Sequence, residues 1–246
     1  MLALASDPYC FVSICSRIEM MKLFKRPNMV MAEIGVNRGD FSAQILPAMT
    51  PHRLHLIDIW SSPGDVDHVI GHEDFYHLVT SRFKNEPKVD IHRSDSIRAA
   101  ASFEDQSLDM VYIDADHSYE AVLADLIAYG PKLKPDGVIC GHDFVDLEVL
   151  RMLKGRTSED KFGVMEAVST FSRRFGFKLI ALAFEITPSF FLVRQNHPLD
   201  ALQIGRAAHV SGTPGFCVSS RRACSMSVDY FRCNADDQRL RFTPIF

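Results

Sequence analysis

Residues Val111 to Phe144 read VYIDADHSYEAVLADLIAYGPKLKPDGVICGHDF, and this stretch decides the fold. An apolar run over Met110 to Ile113 stops abruptly at Asp114, Asp116 and His117. Val122, Leu123, Leu126 and Ile127 then recur at the spacing of one helical face, with Ser118 and Glu120 suited to the helix amino terminus. Gly130 and Pro131 end or kink that helix, and Pro135 forbids its continuation because proline has no amide hydrogen to donate. Pro135-Asp136-Gly137 is expected to turn the chain into a second apolar run that ends in His142 and Asp143. The pattern is a strand-helix-strand unit with ionisable groups at the carboxyl end of both strands. Ligands of open parallel α/β sheets sit in the crevice outside those ends. Asp114, Asp116, His117, His142 and Asp143 therefore mark the expected site. Neighbouring strands lie about 4.8 Å apart, close enough for one divalent cation to bridge Asp114 and Asp143.

Upstream, Asn28 to Phe41 reads NMVMAEIGVNRGDF, an apolar strand running into Gly35, Asn37 and Gly39 before Phe41, Ile45 and Leu46 open a helical face. Glycines at such a turn let the backbone approach a ligand, and the helix amino terminus beyond favours an electronegative group. The spacing Glu33-x-Gly35-x-x-x-Gly39 is not the GxGxxG of the usual dinucleotide binders. A second strand, Arg53 to Ile59, carries Asp58 near its end, 19 residues beyond Gly39. An acidic side chain at about this distance accepts hydrogen bonds from ribose hydroxyls in nucleoside cofactor sites. Val89 to Arg93 is a short third strand, and Asp95 and Ser96 after it are read either as an adenine contact or as a helix cap.

Phe11 to Phe24 is expected to be an amphipathic helix on the sheet edge or over the site. Trp60 to Glu73 is a loop carrying His68 and His72, and Phe75 to Phe83 is helical. Further helices are expected near Leu147 to Leu153 and from Lys161 to Arg174. Phe177 to Ile186 and Phe190 to Arg194 then form an antiparallel hairpin through Thr187-Pro188-Ser189. The last 50 residues hold no Lys or Glu but six Arg and three of the six Cys, with few apolar periods. The chain thus divides into an N-terminal helical segment (1–27), a Rossmann-like α/β domain (28–196) with a mostly parallel sheet and helices on both faces, and a poorly specified extension (197–246).

The 246 residues are 47% hydrophobic, enough for a full core, and carry a formal charge of -4. With no long Lys/Arg cluster, a nucleic-acid partner is not expected and a small molecule is. No apolar run approaches the roughly 20 residues of a membrane helix, and Asp7 interrupts the short N-terminal one, so neither membrane nor secretory signal is expected. The cysteines at 10, 15, 140, 217, 224 and 233 include no CxxC pair, which suits a reduced, cytoplasmic protein. Cys217, Cys224 and Cys233 with His209 match no zinc spacing. Oligomeric state is left open, a homo-oligomer among the choices.

Taken together, EIGVNRGDFS (33–42), LIDIW (56–60), YIDADHSYE (112–120), LKPDGVICGHDF (133–144) and the closing hairpin resemble the class I S-adenosylmethionine-dependent methyltransferases. The resemblance runs over about 28–195 and is strongest to the branch of macrolide sugar O-methyltransferases and cephalosporin-hydroxylase-like proteins. It implies a seven-stranded sheet, Glu33, Gly35, Asn37 and Gly39 around the methionine part of the cofactor, Asp58 on its ribose, and Asp95, Ser96 and Asp114 further along the same site. In metal-dependent relatives the positions of Asp114, His142 and Asp143 ligate a divalent cation, and the position of His117 holds the general base, with Asp116 expected to orient that histidine or the metal. A histidine at 142 departs from the oxygen ligands magnesium prefers and tilts the site toward manganese or a softer ion. The implied reaction is methylation of a sugar or other small-molecule hydroxyl. The sulfonium makes the methyl group electrophilic, leaving the protein to align the acceptor oxygen and remove its proton. A metal-dependent hydrolase using the same acidic and imidazole groups, or a non-catalytic nucleoside-binding module, are the alternatives.

Overall fold

A computed structural model of the chain describes residues 9–60, 72–146, 162–185, 187–219, 222–224 and 226. Strands β1 (Cys10–Ser13), β2 (Val30–Ile34), β3 (Arg53–Asp58), β4 (Val89–Arg93), β5 (Leu108–Ile113), β6 (Leu133–Gly141), β7 (Phe177–Ala183), β8 (Ser189–Arg194) and β9 (Phe216–Val218) form one sheet in the order β4-β3-β2-β5-β6-β8-β7-β1-β9. The helices are α1 (Arg17–Lys22), α2 (Ser42–Met49), α3 (His72–Arg82), α4 (Ser96–Ala100), α5 (Tyr119–Tyr129), α6 (Val164–Phe175) and α7 (Ala201–Ser211). Strands β2 to β6 pair in parallel, and β8 inserts antiparallel between β6 and β7. The α/β sheet with its closing hairpin is the architecture expected from the sequence.

Each central strand is apolar on both faces because helices cover both. On β5, Leu108, Val111 and Ile113 enter one buried cluster while Met110 and Tyr112 enter the other. Residues of α4, α5 and α6 build the first cluster; residues of α1, α2, α3 and α7 build the second. Such continuous apolar runs are the mark of parallel strands buried on two sides. Ser118 caps α5 by accepting from the Ala121 N–H, and Gly130 ends it, as the sequence indicates.

Three expectations change. The sheet has nine strands rather than seven: β1 pairs parallel with β7, and β9 pairs antiparallel with β1. Without them β7 would present an open edge. Phe11 to Phe24 is accordingly not one helix. Cys10–Ser13 is a fully buried strand, and helix begins only after Ser16, whose hydroxyl accepts from the Glu19 N–H. A four-residue strand is too short to display a period, and its pairing with β7 overrides the helical pattern. Finally, Pro135-Asp136-Gly137 is an excursion within β6: the register passes from Leu108–Leu133 to Met110–Val138 while Pro135 and Asp136 stay exposed.

Of the extension, 201–211 and 216–218 are ordered elements. Asp200 and Gln203 form a reciprocal capping box on α7, and Ala201, Ile204 and Ala208 are buried. The expected helix over 147–153, Lys161, Ile186, His68, the side chain of His72 and Cys233 lie outside the described residues. The five described cysteines are free thiols. Among the described residues no helix is long and apolar enough to cross a membrane.

On the outer strands His55 Nδ1 lies 3.0 Å from His92 Nε2, so one ring donates and the other accepts, and both are neutral. Burial first, then the neighbouring imidazole, lowers the pKa of His55 to about 4; burial lowers that of His92 too. The unfolded value is near 6.5. The pair therefore contributes its full stability above pH 6.5 and loses it as pH falls toward about 4, because the unfolded chain takes up protons first. Urea midpoints measured from pH 7.5 to 4 are expected to decline across this window, and less steeply in His55→Gln.

Candidate active site

The strand order reverses beside β2: the chain steps outward through β3 and β4, then returns to place β5 on the other flank of β2. At this switch point Gly35 has φ +87°, and a Cβ there would sit 2.1 Å from the Asp114 carbonyl oxygen. Only glycine lets the two strand ends approach so closely. Gly39, at φ +73°, closes the turn against Val79 and Phe83.

Asp58 holds this turn in place. Its Oδ2 accepts from the Val36 and Asn37 N–H groups at 2.9 and 2.8 Å, and its Oδ1 from the Trp60 N–H at 2.8 Å. Trp60 Nε1 in turn donates to the Asn37 carbonyl at 2.8 Å. Asn37 and Trp60 both adopt left-handed φ, 52° and 43°. Backbone of this kind persists where surrounding bonds over-determine it.

Between these turns and α5 opens a cavity of about 590 Å³, within the range of small-molecule sites. Gly35, Asn37, Asp58, Asp95, Ser96 and Asp114 line it, six of the eight residues expected around a cofactor. Asp95 Oδ1 caps α4 through the Ile97 and Arg98 N–H groups, and the residue also lines the cavity. Ser96 donates to Asp125 Oδ1 at 2.6 Å, and burial pushes the Asp125 carboxyl up to about 6. Glu33 and Gly39 do not line the cavity. Glu33 is fully buried behind its wall, accepting from Ser42 Oγ at 2.5 Å, and burial raises its carboxyl to about 8. It braces α2 against β2.

The sequence reading missed other walls. Ile59 and Ile97 are 43% and 42% exposed, unusual for isoleucine, and both face the cavity, as do Trp60 and Asp125; Asp116, already expected in the site, lines it too. LIDIW contains the signal for Ile59, an apolar residue directly after the strand-end aspartate.

At the far side of Asp114 stands the ionisable cluster. His117 Nε2 lies 3.2 Å from Asp114 Oδ1 and 3.5 Å from Asp143 Oδ2, and ligand atoms of the three residues fall within 4.8 Å of one another. His142 is not in this set. Its Nδ1 pairs with Asp143 Oδ1 at 3.2 Å, and its ring meets Thr187 Oγ1 at 3.1 Å. The residues whose ligand atoms gather are thus Asp114, His117 and Asp143, with His142 beside them against Asp143. Asp143 itself adopts a left-handed φ of 54° just beyond the end of β6. Asp116 Oδ1 accepts from the Ser118 N–H at 2.7 Å, capping the approach to α5, and its charge also acts on His117.

Burial works against a charged His117, but the hydrogen bond it donates to Asp114 and the charges of Asp143, Asp114 and Asp116 outweigh it and raise its pKa. For Asp143, burial is overcome by His142, Thr187 and His117, which hold its carboxyl well below the usual range. Arg17, at the start of α1, donates from Nη1 to Tyr112 Oη at 2.8 Å, with Asp114 Oδ2 3.6 Å away.

Residues 32–144, from β2 through the end of β6, match the family model of a methyltransferase domain. The fold is similar to that of a candidate rRNA methylase from Clostridium thermocellum (TM-score 0.53, 11% identity, covering 73% of this chain and 94% of that one). It is also similar to a candidate caffeoyl-CoA O-methyltransferase from Staphylococcus aureus (TM-score 0.52, 16% identity, 73% and 85%). A candidate exported protein from Bordetella parapertussis is a third (TM-score 0.51, 13% identity, 72% and 65%), and the chain spans just under two thirds of its length. No curated protein matches the sequence. At these identities the solved structures establish the fold alone, and the domain match supports a methyltransferase over 32–144.

The Gly35 contact makes its own test. Gly35→Ala must either strain a positive φ or push β2 from β5 at the Asp114 carbonyl, and is expected to cost about 2–4 kcal/mol in denaturant unfolding.

Proposed function

We propose that this protein transfers the methyl group of S-adenosylmethionine to a hydroxyl of a small molecule, with His117 removing the hydroxyl proton. The observation that carries the proposal is the position of Asp114, which walls the cavity on one side and holds His117 on the other. A nucleoside cofactor beside Asp114 therefore ends next to a basic group.

The cavity residues fit this cofactor. Ile59 and Ile97 offer apolar surface for a flat base, and Asp58 stands at the end of β3 where ribose hydroxyls are bound in such folds. Asp58, Asp95, Asp114, Asp116 and Asp125 give the lining an excess of negative charge that suits a sulfonium. When bound, the cofactor supplies an electrophilic methyl group. The chain supplies alignment and proton removal.

His117 Nε2 is the nitrogen facing both carboxylates, so it carries the proton and leaves Nδ1 as the basic atom. Asp114 and Asp143 then stabilise the imidazolium formed when Nδ1 takes the acceptor proton. Two carboxylates and an imidazole also fit a divalent ion such as manganese or zinc, which would polarise an acceptor oxygen. That arrangement needs the Nε2 lone pair, which the base tautomer does not offer. A metal-dependent hydrolase on the same cluster leaves the adjoining cavity without a role.

Calorimetric titration with S-adenosylmethionine is expected to show saturable one-site binding, with and without chelator; absence of binding in both overturns the proposal. His117→Ala is expected to lower kcat/KM at least about 100-fold with cofactor affinity within about twofold of the parent.

A further inference from the structure

Arg17 is not part of the cavity lining, yet its guanidinium pairs with Asp114, which is. Its guanidinium lies 4.2 Å above the Phe41 ring, at the exit of the glycine turn, and 3.6 Å from Asp114 Oδ2. The side chain is only 22% exposed. Among the described residues it makes one side-chain hydrogen bond, from Nη1 to Tyr112 Oη; Glu185 Oε1 stands 3.8 Å from Nε, beyond hydrogen-bond reach. A guanidinium carries five N–H donors, so most of this fork is unspent in a largely buried place.

The cavity lining contains five aspartates and neither Lys nor Arg. It offers a sulfonium and an ammonium many partners, and a carboxylate none. Arg38 and Arg93 do not fill the gap, because they stack over Phe75 and Tyr76. Arg17 and Asp114 together present a positive and a negative group side by side. An α-amino acid presents the complementary pair, an ammonium and a carboxylate on one carbon.

We infer that Arg17 receives the α-carboxylate of the cofactor's methionine end, with Asp114 beside it taking the ammonium. The inference rests on the cofactor reading given above and extends it to a residue outside the matched domain. It makes the N-terminal segment part of the cofactor site.

The test compares two ligands by calorimetry: S-adenosylhomocysteine, which has the amino acid end, and 5′-methylthioadenosine, which lacks it. Arg17→Gln is expected to weaken S-adenosylhomocysteine about 10- to 100-fold while 5′-methylthioadenosine stays within about twofold. Arg17→Lys is expected to recover part of the loss, keeping the charge but not the fork. The methyl ester of S-adenosylhomocysteine, titrated into the unaltered protein, is expected to bind weakly like the Arg17→Gln pair, a comparison that stands even if the variant misfolds. Equal loss for both ligands in Arg17→Gln, or an ester as tight as the free acid, overturns the inference and leaves the cofactor reading intact. If the unaltered protein binds neither nucleoside, the cofactor reading fails and the inference fails with it.

Discussion

Every functional element of this protein depends on how closely the ends of β2 and β5 approach. The Asp114 N–H donates to the Ile34 carbonyl at 2.8 Å, and the next backbone atom inward, Gly35 Cα, leaves no room for a side chain. That contact fixes where the chain leaves both strands. The glycine turn then faces Asp58 across one flank, and the 114–117 segment faces Asp143 across the other. The cavity and the His117 cluster are two sides of a single close-packed junction.

Polar groups around the junction are bound mostly to backbone. Asp58, Asp95 and Asp116 each accept from main-chain N–H groups of a neighbouring turn. A carboxylate doing so tightens the loop it belongs to and still faces the cavity with its remaining lone pairs. Structural caps and ligand contacts are therefore not competing interpretations at these positions. Asp114 and Asp143 differ: their carboxylates meet side chains, His117, His142 and Arg17, and those bonds can be exchanged when a ligand arrives.

Much of this was legible before any coordinates. The β5-α5-β6 unit announced itself because its apolar periods, its Ser118 cap and its Gly130 stop agree with one another. Gly35, Asn37, Asp58, Asp95, Ser96 and Asp114 followed from strand ends, where side-chain chemistry changes abruptly. What stayed hidden has physical causes. The left-handed backbone at Asp143, beside the cluster, is invisible in a string of letters. Ile97 and Asp125 reach the cavity from helices whose faces look like ordinary core or surface. Arg17 meets Tyr112 and Glu185 across most of the chain, a relation that no local pattern carries. Glu33, which looks like a ligand contact beside two glycines, is buried because the alternation of β2 points it at Ser42 instead.

The pairing of β1 gives the molecule a direction in time. Phe11 lies opposite Ala181 in the sheet, so β1 has no partner until β7 has emerged, and β9 must then close over it. Strands β2 to β6 meet only neighbours that are nearer in sequence. The central sheet can therefore gather while the leading segment still trails free, and long-range pairing of this kind is the slow part of assembly. Arg17 sits four residues beyond β1 and is brought to Asp114 only when that strand docks. The first described strand is thus among the last to find its place in the sheet, and the pairing of Arg17 with Asp114 comes with it.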